Sequence, residues 1–418
     1  MIICLCRKIL NDELYIFRLH AGITNEILLN KMDELIIQAN NLPKNKRLWV
    51  FFDEFNTIFN ISLLKEMICE RTLLGRNLPD NMVFLGTCNP TREKSLKTIF
   101  SSNVGLKKDR YKQLQHEQNH PTLSYTVTPI PETMLEYVWD YGNLDDETEK
   151  TYIRATLSTY ECFSKNPDVL EVTIELVSES HKFLKQLEDV NSVSLRDIVR
   201  FARLFQWFNA YLQSTQVDEK RIPKDSSRLA LLLCYYFRLE TREHKEKYLN
   251  KLDEYLCEKY PHRERMTFAK AFKQLLLREQ TKLLNQLEKP VDMAFNQALR
   301  DNLFVLFPCI MNRIPVFLCG KPGASKTSAV QILMNNFKGS RSNKLLFRQY
   351  PELVAVTFQG TQTCTSKNIE QIFERANKFM QMETDSSILP VIIFDEIGLA
   401  ESSVHNPLKV LHGHLEIE

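Results

Sequence analysis

No excess of charge of either sign marks this chain. Its 54 Lys and Arg against 52 Asp and Glu leave a formal net charge of +2, which gives no electrostatic case for nucleic acid. The ten cysteines are scattered and form no CxxC pair, and the close couple Cys4 and Cys6 has no histidine cluster beside it. That pattern argues against a zinc site and a disulfide framework, and fits a reducing, cytoplasmic setting. Glycine and proline are sparse, at 11 and 16 residues. With long stretches rich in Leu, Lys, Glu and Gln, helix should outweigh strand. Long uninterrupted apolar runs are lacking too. The opening MIICLCRKIL is too short for a signal peptide, and its basic pair follows the apolar run instead of preceding it. The stretch between Leu303 and Cys319 is broken by Asn312, Arg313 and Pro315, which argues against a membrane span.

What is present is a chain of 418 residues, enough for two or three folding units. Helical periodicity at 23–39 and 61–71 alternates with apolar runs at 48–52 (LWVFF), 82–87 (MVFLGT) and 123–127 (LSYTV). Short apolar runs between helices predict a parallel sheet covered on both faces. From about 131 to 300 strand candidates vanish, and helices are expected at 146–163, 166–187, 193–213, 226–238 and 241–258. The charged stretch 214–226 is the expected internal linker. After about 303 the alternation returns: strands at 316–319, 353–358 and 391–394, helices at 326–337 and 366–380. The expected architecture is α/β of the P-loop NTPase (AAA+) type at both ends, over 1–130 and 291–418. A helical lid and linker region, 131–290, lies between them.

Three motifs carry chemistry. Gly320-Lys-Pro-Gly323-Ala-Ser325-Lys326-Thr327 lies between an expected strand and an expected helix. Small residues there let backbone N–H groups wrap phosphates at a helix N-terminus. Lys326 then reaches the β- and γ-phosphates and the Thr327 hydroxyl reaches Mg²⁺. Ser325 stands where the motif has its second glycine, a departure expected to need only a modest local adjustment. The second motif is VIIFDE, 69 residues beyond Lys326, where Asp395 and Glu396 end a buried strand. At the C-terminal edge of a parallel sheet, Asp395 is placed to hold Mg²⁺ and Glu396 to polarise an attacking water. The third repeats the second: WVFFDE ends in Asp53 and Glu54, and the next strand ends in Gly86-Thr-Cys-Asn89-Pro90, with Asn89 suited to hold the same water.

The two acidic strands are 342 residues apart, and each belongs to the centre of such a sheet. The chain therefore reads as the end of one module and the beginning of the next. The 47 residues before LWVFF hold no phosphate loop, so the chain also reads as a piece of a longer open reading frame whose cut sheets would favour aggregation. Arg196, in the first turn of a helix opened by Ser194, is a candidate lid arginine toward the first site's γ-phosphate, with a surface ion pair as its ordinary alternative. Arg92 and Arg110 are weaker candidates for fingers, and His405 reads as a loop residue.

The strings LWVFFDEFNT, MICERTLLGR, CNP, GKPGASKTSAV and VIIFDEIGLAESSVHNPLKVLHGHLE resemble the mysterin family, giant RING-finger AAA+ E3 ubiquitin ligases. The resemblance runs from about 25 to 418 and is weakest in the helical middle. It implies that residues up to about 290 match the third AAA unit and those from about 291 the start of the fourth. It also implies ATP and Mg²⁺ as cofactors, neighbouring AAA units and an E2 enzyme as partners, and a cytoplasmic setting with lipid-droplet association. By motif, Lys326, Thr327, Asp395 and Glu396 take the fourth unit's roles, and Asp53, Glu54 and Asn89 the third's. No RING finger or ubiquitin-transfer shell is among these residues, so any ligase activity belongs to a longer parent. Two other readings compete: a non-catalytic nucleotide-binding scaffold, and a piece of a dynein-like or midasin-like tandem machine.

Overall fold

The computed structural model describes residues 2–20, 22–58, 60–89, 92–93, 123–125, 127–142, 144–188, 192–215, 218–260, 267–288, 290, 293–382, 387–401, 403 and 407–415. They pack as two compact units. The first holds Met1–Tyr141, Val356–Gln381 and Ile392–Glu418; the second holds Gly142–Ala355 and Met382–Val391. The expectations for Arg110 and His405 lie outside the described residues.

The first unit is built on three parallel strands, β1 (Glu13–Arg18), β2 (Leu48–Asp53) and β3 (Met82–Gly86), in the order β1-β2-β3. In β2 the alternate residues Leu48, Val50 and Phe52 are fully buried, as a pleated strand with one core face requires. The register pairs Arg18 with Asp53 and Phe52 with Gly86, so all three strands end along one edge. Helix α1 (Asn25–Asn41) covers the sheet with Leu28, Met32, Leu35 and Ala39, a spacing of three and four that makes one apolar stripe. Thr24 caps it, its hydroxyl accepting from the Ile27 N–H at 3.3 Å. The expected strands at 48–52 and 82–87 are present. Strand β1 was not expected, because its apolar run is only four residues long and is flanked by the charged Glu13 and Arg18. At 123–127, Leu123–Tyr125 does form a strand, but it pairs antiparallel with Arg92–Glu93 and not with the parallel sheet. An apolar run encodes burial, not strand direction.

The second unit is mainly helical. Its larger helices are α2 (Asp146–Ser158), α3 (Pro167–Leu187), α4 (Leu195–Ser214), α5 (Ile222–Cys234), α6 (Arg242–Lys259), α7 (Phe268–Gln286), α8 (Gln297–Met311) and α9 (Lys326–Asn336). One continuous apolar core runs through them, from Ile153 to Leu389. Phe163 stacks on Phe205 at 3.8 Å within it. Of the stretch 214–226, expected as a linker, the residues from Ile222 onward already form the start of α5, with Asp225, Ser226 and Ser227 buried. Its charges made the stretch look solvated; Arg228 and Arg278 each reach the Asp225 carboxylate at 3.2 Å and neutralise it.

The expected strand at 316–319 belongs to no ladder among the described residues. Ile314, Val316 and Leu318 are half-buried while Phe317 is 60% exposed, so the alternation of an extended strand is there without a partner. The strands expected at 353–358 and 391–394 are β4 (Glu352–Gln359) and β5 (Ile388–Asp395), a two-stranded sheet. Helix α10 (Ser366–Met382) connects them. Beyond β5 the described residues form a short helix, Ile397–Glu401, a 3-10 turn, Pro407–Val410, and α11 (Leu411–Leu415). No helix among the described residues is long and apolar enough to cross a membrane.

Candidate functional site

In the first unit Asp53, Glu54 and Asn89, the residues of the third motif, meet at the C-terminal edge of the sheet. Asp53 is the last residue of β2, and Glu54 follows it in a left-handed conformation, φ 53° and ψ 44°. That turn lifts Glu54 out of the strand direction at a conformational cost of about 1 kcal/mol. Thr87, one residue beyond β3, holds the turn. Its hydroxyl donates to Asp53 Oδ1 at 2.7 Å and accepts from the Glu54 N–H at 3.3 Å. Asn89 Nδ2 donates to Glu54 Oε1 at 3.2 Å, while its own carbonyl accepts from Asn56 Nδ2 at 2.8 Å. Asp53, Glu54 and Asn89 are therefore one hydrogen-bonded group, as their spacing implied.

The sequence reading missed three members of this group. Thr87 lies two residues before Asn89, at a strand end, and that position was its signal. Asn56 carried no signal. His412 of α11 places Nδ1 3.2 Å from Glu54 Oε1 and 3.1 Å from Oε2, across 358 residues of sequence. No local pattern encodes such a contact.

The same unit contains the second acidic strand end. Asp395 closes β5, and Glu396 follows at φ 50°, also left-handed. The Glu396 N–H donates to Asp395 Oδ1 at 3.0 Å, and the Gly360 N–H donates to the Asp395 carbonyl at 2.9 Å. A Cβ on Gly360 would lie 2.5 Å from the Glu396 carbonyl oxygen, so glycine is required for this approach. Both carboxylates are exposed.

The phosphate-loop residues lie in the second unit. Gly323 has φ 81° and Ser325 has φ 54° and ψ 27°, so the loop turns twice through the left-handed region before α9 begins at Lys326. The departure at Ser325 is thus a conformational one: a serine occupies a backbone state that favours glycine. Asn302 Nδ2 donates to the Ala324 carbonyl at 3.0 Å, and Asn296 Nδ2 lies 3.3 Å from Ser325 Oγ, bracing the loop from α8. The Lys326 ammonium folds back onto the loop and donates to the carbonyls of Gly320 at 2.7 Å and Lys321 at 3.1 Å. Thr327 is exposed in the first turn of α9. Arg196 is exposed in the first turn of α4, where the Asp197 carboxylate accepts from the Ser194 N–H at 2.8 Å.

Comparison with known proteins adds the family. A model described as the RNF213 AAA domain matches residues 292–418, and a second model of the same description matches 5–92. The E3 ubiquitin-protein ligase RNF213 of Homo sapiens is 29% identical over 431 residues, covering 97% of this chain, and that of Mus musculus gives the same figures. The E3 ubiquitin-protein ligase rnf213-beta of Danio rerio is 29% identical over 427 residues. The chain spans about 8% of the length of these curated relatives. With an AAA-domain match on either side of a helical middle and alignment along nearly its whole length, the chain belongs to the RNF213, or mysterin, family of E3 ubiquitin ligases with AAA domains.

Proposed function

We propose that the chain binds ATP with Mg²⁺ and forms part of the ATP-hydrolysing core of a ligase of this family. One observation carries the reading. Two strands 342 residues apart end in the same Asp-Glu pair, each with its glutamate in a left-handed turn, and a phosphate loop opens α9. Lys326 exchanges the carbonyls of Gly320 and Lys321 for the β- and γ-phosphates of ATP. The Asp395 carboxylate and the Thr327 hydroxyl are hard oxygen donors of the kind Mg²⁺ takes, and Asp53 is the equivalent at the first site. The metal, when bound, neutralises developing phosphate charge. Glu396 at one site and Glu54 with Asn89 at the other align the water for in-line attack.

On this reading 1–130 is the C-terminal part of one AAA+ core and 291–418 the N-terminal part of the next. The helical region 131–290 then serves as lid and linker, with Arg196 as the first site's lid arginine. Ubiquitin transfer, an E2 partner and a cytoplasmic location with lipid-droplet association belong to the longer parent chain. A non-catalytic nucleotide-binding scaffold is the second reading, favoured by the way Lys326 is satisfied within its own loop.

Titration calorimetry with Mg-ATP on the folded chain tests the proposal. Binding should be lost in Lys326→Ala and kept in Glu396→Gln. A folded chain that binds no Mg-ATP would overturn it.

A further inference from the structure

Helix α11 lies across the edge where β1 and β2 end. Arg18, the last residue of β1, donates from Nη1 to the Gly413 carbonyl at 3.4 Å. His414 stacks on Phe373 of α10, rings 3.8 Å apart and 9° from parallel. Just before these two anchors His412 turns to Glu54, reaching both carboxylate oxygens at 3.2 and 3.1 Å. With Glu54 ionised the carboxylate can only accept, and the contact then requires the proton on His412 Nδ1. Nearby, burial pushes the Lys409 ammonium down from its ordinary range, and the negative charge of Glu54 opposes that shift.

The two partners come from different modules. Glu54 lies in the segment matched by one RNF213 AAA model and His412 in the segment matched by the other. All of this geometry lies within the first compact unit. Glu54 is consequently gripped from two sides, by Asn89 from its own sheet and by His412 from the succeeding module. A glutamate that must aim one oxygen at a water gains precision when its other contacts fix the carboxylate plane.

We infer that His412 is a positioning residue for the first site: the following module sets the orientation of Glu54 through the His412–Glu54 hydrogen bond. The inference rests on Glu54 being the water-aligning carboxylate, but the bond itself is read in the chain without nucleotide. The experiment uses histidine-selective ¹⁵N labelling and two-bond ¹H–¹⁵N correlation at neutral pH, with His412→Gln assigning the signal among the nine histidines. His412 should show the Nδ1-protonated pattern, and should revert to the Nε2-protonated pattern of a solvated imidazole in Glu54→Ala. Where that variant disturbs the other eight histidines, Glu54→Asp, which withdraws the carboxylate by one methylene, gives the same readout. The side-chain amide resonance of Asn89 should move in His412→Ala and return in His412→Asn, whose Nδ2 replaces the lost donor; ring packing alone would not be rescued. An unchanged His412 pattern in both Glu54 variants, or an Asn89 amide indifferent to His412→Ala, overturns the inference. Failure of Mg-ATP to bind at Lys326, with the pair intact, overturns the proposed function and leaves the pair standing.

Discussion

Glu54 and Glu396 leave their strands through the same left-handed turn, with φ of 53° and 50°. Neither residue type favours that region, and each turn costs about 1 kcal/mol relative to a glycine. Close backbone packing fixes both turns. The Phe55 N–H donates to the Thr87 carbonyl at 3.0 Å after the first, and Gly360 sits against the Glu396 carbonyl at the second. The same strained turn thus recurs at two strand ends. At position 396 the ordinary order of side chains should therefore be reversed. Glu396→Gly should be more stable than Glu396→Ala by about 1 kcal/mol, since alanine keeps the Cβ that the turn disfavours. Denaturant midpoints of the two variants check it; alanine equal to or better than glycine would contradict the geometry.

Ser325 makes a related prediction within the phosphate loop. Its φ of 54° is paired with a contact of 3.3 Å from Asn296 Nδ2 to its hydroxyl, an exposed bond of small net value. Relief of backbone strain outweighs loss of that bond, so Ser325→Gly should stabilise the chain by about 0.5 kcal/mol. The same change leaves Lys326 and Thr327 untouched, and Mg-ATP affinity should stay within about threefold of the parent, a difference under roughly 0.7 kcal/mol. Thermal melts and calorimetry measure both. A destabilised Ser325→Gly would mean that the serine hydroxyl, not the backbone, governs the loop.

Much of the site was legible because its residues are near in sequence or fall at strand ends. Asp53, Glu54 and Asn89 meet as their spacing implied, since a strand, a helical segment and a second parallel strand bring two C-terminal ends side by side. The left-handed turn at Ser325 is visible as a serine in a glycine position. Other features left no local trace. Strand β1 carries charge at both ends, and its pairing with β2 is a matter of register that periodicity does not report. Residues 316–319 have a strand's alternation, but alternation describes which side chains are buried, not whether the backbone has a neighbour. His412 reaches Glu54 only because α10 and α11 pack back onto the first sheet.

The helical unit holds its own charge network, and it should make the fold acid-sensitive in a defined window. Glu149 of α2 is buried against α3, where His181 Nδ1 and Lys185 Nζ each lie 2.6 Å from a carboxylate oxygen; Tyr235 occupies the other His181 nitrogen at 3.0 Å. Burial raises the Glu149 carboxyl, but the bonds and charges of His181 and Lys185 outweigh it and hold it at about 2. Glu175 behaves alike: burial raises it, and Lys150, Lys259 and Tyr255 bring it to about 2. Both values lie below the ordinary 4.5 of an unfolded glutamate. The unfolded chain therefore binds these protons first, so the stability they contribute is complete above about pH 4.5 and drains as pH falls toward 2. Urea midpoints followed by helical circular dichroism should be flat from neutral pH down to about 5 and then drop. The Glu149→Gln/Glu175→Gln variant should lose about 2 kcal/mol at neutral pH, because it removes the carboxylates that bond buried His181 and the partly exposed Lys185, Lys150 and Lys259. The same variant should show a much shallower acid limb. An acid limb as steep as the parent's would mean that these two carboxylates do not set the acid response.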